Sequence, residues 1–100
     1  MLDDPADDTI IAILAERRDT HGLWREQAAL AYSVRRVLQT HPRWRRLPPF
    51  ASEAIDHIVT KISRAIAGEW EHKDHWIDIC GYSQLAVLEI EKDIGEVSTL

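Results

Sequence analysis

Pro49-Phe50-Ala51-Ser52-Glu53-Ala54-Ile55-Asp56-His57-Ile58-Val59-Thr60-Lys61-Ile62-Ser63-Arg64-Ala65-Ile66-Ala67-Gly68 is the stretch on which the fold turns. At about 100° per residue, Ile55, Ile58, Val59, Ile62 and Ile66 collect on one face. Glu53, Asp56, His57, Thr60 and Arg64 collect on the opposite face, with Lys61 at its edge. Proline is tolerated in a first helical turn and glycine just past a last one, so the helix should open at Pro48 or Pro49 and close before Gly68.

Working outward, the same period holds and no alternating run is long enough for a strand. Asp7, Asp8 and Thr9 offer a helix start, and Ile10, Ile11, Ile13 and Leu14 carry that helix to about Arg18. Thr20-His21-Gly22 reads as a tight break. A second helix follows from about Leu23 to Gln39, with Trp24, Ala28, Ala31, Arg35 and Leu38 along a mostly core-facing side and Gln27 and Val34 beside them. Pro42, Pro48 and Pro49 keep His41 to Phe50 a loop. A last helix should run from His72 or Lys73 to about Asp93. Its expected core side is Trp76, Ile79, Cys80, Ser83, Val87 and Ile90; the other side carries Asp74, Asp78, Tyr82, Leu85 and Glu89. Gly81 in mid-helix costs about 1 kcal/mol against Ala, which suggests that a ligand or another backbone comes close there. The expectation is an all-α domain, a compact bundle of about four helices over residues 8–93, between an acidic tail (1–7) and a C-terminal tail (94–100). Apolar residues on both sides of the last helix (Leu85 and Leu88 against Ile79, Val87 and Ile90) predict a homo-oligomer.

With 100 residues, 29% charged and 45% hydrophobic, the composition is that of a folded domain. A net charge of -5 argues against general nucleic-acid binding. The single Cys80 excludes an internal disulfide and a cysteine zinc site. No apolar run is long enough for a bilayer and the first residues are acidic, so a cytoplasmic protein without membrane contact is expected.

Three groups of residues are candidates for chemistry. Asp74 and Asp78, at i,i+4, lie on one helix face about 5–6 Å apart at Cβ, and like charges so placed call for a positive neighbour. That neighbour is a hard divalent cation (Mg²⁺ or Mn²⁺), shared with Glu53 and Asp56, or the helix N-terminus capped by Asp74, with Asp78 in a plain salt bridge to Lys61 or Arg64. In a simple hairpin Glu53 and Asp56 fall several turns from Asp74 and Asp78, so a four-carboxylate set asks for a partner subunit or a steep crossing. Lys61 and Arg64 are the candidate phosphate ligands. His72, Asp74 and His75 form a weak histidine metal pattern with no clear third ligand, more simply read as a surface pair. Arg43, Trp44, Arg45 and Arg46 would hold a base with its phosphates, anchor a protein partner, or simply fix the loop through Trp44.

Arg17, Arg18, His21 and Gly22, then Lys61 and Arg64, then Asp74, Trp76, Asp78, Gly81 and Tyr82 together resemble a family of small bacteriophage and prophage proteins of unknown function. The resemblance covers most of residues 11–91. That family looks distantly similar to the all-α nucleotide pyrophosphohydrolases of the MazG and dimeric dUTPase type, which hold Mg²⁺ on a Glu-Glu-x-x-Glu helix and a Glu-x-x-Asp helix. The resemblance matches Asp78 to the Asp of the second motif and, most nearly, Glu53 and Asp56 to the first; together with Asp74 these are expected to hold the metal, with Asp78 and Glu53 catalytic. It further implies that Lys61, Arg64, His57 and Tyr82 contact a nucleoside triphosphate. Ser52, His57 and His75 stand where the enzyme pattern has carboxylates. The alternative is a phage protein that binds and blocks a host protein through Arg43, Trp44, Arg45 and Arg46.

Overall fold

The computed structural model describes residues 5–95, which hold helices and turns and no strand. Four α-helices follow in order: α1 (Pro5–His21), α2 (Trp24–Gln39), α3 (Pro49–Ala67) and α4 (Lys73–Asp93), with a 3₁₀ turn at Pro42–Arg46 between α2 and α3. α1 begins upstream of the expected Asp8, so residues 5–7 are helical rather than tail; residues 1–4 and 96–100 lie outside the described residues. No described helix is long and apolar enough to cross a membrane.

α3 is the central element, packed between α2 and α4, with α1 resting more lightly on α3 and α2. Pro49 sits in its first turn, and the Gly68 N–H bonds to the Arg64 carbonyl at its end, as the punctuation of the sequence predicts. α3 and α4 form an antiparallel hairpin, seen in the pairings of Lys61 with Asp78 and of His57 with Tyr82. α2 is held to α3 by Arg35 Nη1 donating to Thr60 Oγ1 (3.1 Å) and Arg64 Nε donating to Gln27 Oε1 (3.1 Å).

The expected core needs correction. The deeply buried side chains are Ala31, Val59, Ser63 and Ala65, together with Gln27 and His75. Ile62 and Ile66, placed on the core face by periodicity, are 41% and 68% exposed. A helix flanked on two sides buries two narrow seams, and small side chains let the neighbouring backbones approach along them. Ser63 keeps its hydroxyl satisfied there by donating to the Val59 carbonyl at 2.8 Å. α4 is turned about relative to expectation. His75, Asp78 and Tyr82 meet the rest of the chain together with the half-buried Ile79, while Trp76, Cys80, Ser83, Val87 and Ile90 of the expected core side, and Asp74 and Leu85 of the other, are exposed. Gly81 has open space around it, so no close approach within the chain explains it.

Candidate functional site: a cationic cleft at the junction of two glycine turns

Two turns far apart in the chain dock back to back. Gly22 takes a left-handed φ of +78°, which a side chain rarely adopts, and donates its N–H to Arg18 O at 2.9 Å. A Cβ at Gly22 would collide with the Ala67 carbonyl, and one at Gly68 with the Thr20 carbonyl and the backbone of His21 and Gly22. The glycines therefore serve close approach as well as turn geometry. The Thr20 carbonyl accepts two hydrogen bonds across the junction, from Glu69 N and from His75 Nε2, both at 3.0 Å. The second fixes the His75 tautomer with its proton on Nε2.

This docking brings three imidazoles together. Ring centroids lie 4.9 Å apart for His72 and His75, 5.2 Å for His21 and His75, and 6.2 Å for His21 and His72. Burial, followed by the Arg64 guanidinium, lowers the pKa of His21. The histidines line a cleft of about 830 Å³, within the usual range for a small-molecule site. The end of α1 supplies Arg17 and Arg18, α3 supplies Lys61 and Arg64, and the start of α4 supplies Asp74 and Asp78. Four permanent cations thus face two carboxylates, in a chain whose net charge is -5.

Lys61 Nζ lies 2.9 Å from Asp78 Oδ2, and this hydrogen-bonded contact holds the Asp78 carboxyl below its usual pKa. Of the basic side chains expected to pair with Asp78, Lys61 is the one in contact. Asp74 lies 3.6 Å from His72 Nε2. Among the described residues no carboxylate pairs with Arg17, Arg18 or Arg64. The N-terminus of α4 opens at the same place and adds its positive end to the cleft.

The remaining expected site residues are spread along the α3–α4 seam. One turn beyond the Lys61–Asp78 pair, His57 and Tyr82 stack with centroids 4.5 Å apart and rings 4° from parallel. One turn further, Glu53 reaches back to His57 at 3.6 Å. Eight residues separate Glu53 from Lys61, about 12 Å along a helix, so Glu53 does not join the cleft. Asp56 does not line it either; its Oδ1 is buried without a hydrogen-bond partner. No group of three or more His, Cys, Asp or Glu residues suited to a metal ion occurs among the described residues. Glu53 and Asp56 thus do not line the cleft with Asp74 and Asp78. His72, Asp74 and His75 do come together, but one His75 nitrogen is committed to Thr20.

Arg43, Trp44, Arg45 and Arg46 form the 3₁₀ turn, away from the cleft. Trp44 is partly buried and, with Val37, Leu38, Leu47 and Ile55, lines a second, apolar groove of about 660 Å³; the three arginines are exposed. Sequence reading missed Arg17 and Arg18 as partners of Lys61 and Arg64, and it placed Trp24 toward the core. The available signals were the resemblance, whose motif set already joined Arg17 and Arg18 to Lys61 and Arg64, and the His21-Gly22 break, which places the end of α1 and the start of α2 at a common turn. Comparison with protein-family models, curated proteins and solved structures returned no match for this chain.

Proposed function

We propose that the chain binds a nucleotide through its phosphate groups, in the cleft between the α1–α2 turn and the α3–α4 hairpin. The observation that carries the reading is the convergence of Arg17, Arg18, Lys61 and Arg64 on one concave site. Forked guanidiniums and an ammonium are the side chains that meet phosphate oxygens, and α4 adds a helix N-terminus. Arg64 is aimed by its bond to the buried Gln27, so part of its ordering is complete before a ligand arrives.

Hydrolysis of a nucleoside triphosphate, the activity implied by the resemblance to MazG-like enzymes, is the stronger form of this proposal. Glu53 and Asp56 of one chain do not line the cleft, so a metal set that joins them to Asp74 and Asp78 would take them from a second copy. A cytoplasmic protein of phage origin belongs to the same reading. The direct test is calorimetric titration with pyrophosphate, alongside a phosphate-release screen over nucleoside triphosphates with Mg²⁺ or Mn²⁺ coupled to a pyrophosphatase. Binding should be measurable and should weaken roughly tenfold to a hundredfold in Arg64→Gln, the scale of a charge-assisted contact. Any turnover should vanish in Asp78→Ala. Absence of pyrophosphate and nucleotide binding would end the proposal.

A second reading rests on the apolar groove beside Arg43: a small protein that grips a host protein there. Under that reading Trp44→Ala removes partner binding and leaves pyrophosphate binding intact; the nucleotide reading needs no partner at that groove.

A further inference from the structure

The cleft lining is of two kinds. Arg17, Arg18, Lys61 and Arg64 make part of it cationic, and Ile11, Leu14 and Trp24 make part of it apolar, with Ile11 and Leu14 on the same helix as Arg17 and Arg18. Trp24 is 75% exposed, although it opens α2 immediately after the Gly22 turn. Its backbone is well placed, because the turn beside it is pinned against Ala67 and Gly68. A ligand made of phosphate alone would leave the apolar lining in water. An apolar ligand would bury guanidiniums that no carboxylate meets, at a cost of several kcal/mol per uncompensated ion. A ligand that satisfies both kinds of lining carries a flat π-system at one end and a polyanion at the other.

We infer that Trp24 is the platform on which the base of a nucleotide stacks, with its phosphates held by the cationic side chains that line the same cleft. The inference rests on the phosphate-binding reading above and adds what selects a nucleotide over a bare polyphosphate. Stacking on an indole tolerates any base, since every base has a π-face, so Trp24 gives affinity for nucleotides as a class. Ile11 and Leu14 complete the apolar side without hydrogen-bonding groups that would choose among bases. Ile10 and Ile13, also exposed on α1, do not line the cleft and have no part in it.

The test uses the full chain and two probes, ATP and inorganic tripolyphosphate, titrated by calorimetry into wild type, Trp24→Ala and Trp24→Phe. The molar mass of each variant is followed by light scattering. Wild type should bind ATP more tightly than tripolyphosphate. Trp24→Ala should weaken ATP between about fivefold and a hundredfold, the measured range for loss of a base-stacking aromatic, and leave tripolyphosphate unchanged. Trp24→Phe should retain most of the ATP affinity. Equal wild-type affinity for the two probes overturns the inference, as does a Trp24→Ala loss shared equally by both. A fall in mass that leaves the ATP-to-tripolyphosphate ratio unchanged assigns Trp24 to a contact between copies instead. If tripolyphosphate and ATP both fail to bind, the phosphate reading itself fails and the base platform falls with it.

Discussion

Replacing Leu85 with Glu places a charge on an open position of α4, where Leu85 is 57% exposed; Val87 and Ile90, on the other side of the helix, are 42% and 51% exposed. A folded monomer of 11.5 kDa is expected to expose about 5,800 Å². This chain exposes 7909 Å², and its extents are 55 × 34 × 29 Å. The difference, about 2,100 Å², is above the roughly 800 Å² per partner of a standard interface. The prediction is that a second copy covers this side of α4. Burying the remaining half of Leu85 is worth about 1 to 1.5 kcal/mol, and a two-fold contact counts it twice. Leu85→Glu removes that gain and brings two carboxylates into the contact at a desolvation cost, so the dissociation constant should rise at least a hundredfold. Light scattering at tens of micromolar should give the wild type a mass well above 11.5 kDa and the variant a lower one, with unchanged helical circular dichroism. A wild type that runs as a monomer refutes the reasoning. So does an oligomer indifferent to Leu85→Glu, which would move the interface to the exposed side of α1.

Gly22→Ala should destabilise the fold by about 2 kcal/mol or more, since alanine pays for a positive φ and its Cβ meets the Ala67 carbonyl; thermal denaturation should fall by roughly 8 °C or more. A change within a degree or two would mean that the two turns are not docked. The Asp78 carboxyl, held below its usual pKa by Lys61, contributes stability that is present above its unfolded value near 3.8 and is lost as pH falls through the lower folded value. Urea unfolding between pH 2 and 6 should therefore show a weaker acid dependence in Lys61→Met, and a carboxyl NMR titration should find Asp78 moved upward. An unmoved Asp78 would refute the pair. Burial and Arg64 lower the His21 pKa, so its imidazole titrates below 6.5 in the free protein; bound pyrophosphate should raise it, read from ring-proton shifts. No shift on saturation would place the anion elsewhere.

The helices were legible in the chain because their signals are local. Pro49 and Gly68 bracket α3, Gly22 breaks α1 from α2, and periodicity fills the spans between. The competition between a metal and a salt bridge for Asp78 was also legible, since Lys61 and Asp78 fall at matching depths in any hairpin closed near Gly68. Periodicity assigns a face, however, and does not say what covers it. α3 turned out to be flanked on two sides, so its seams run through Val59, Ser63 and Ala65, while the isoleucine face stays partly open. α4 meets the chain with Asp78 and Tyr82, and its apolar face is left outward for the same reason: only the packing partner decides which stripe is inside. The cleft itself belongs to tertiary structure. Arg17, Arg18 and Trp24 reach Lys61, Arg64 and the histidines only because two glycine turns, distant in sequence, pack backbone against backbone, and no local pattern encodes that meeting.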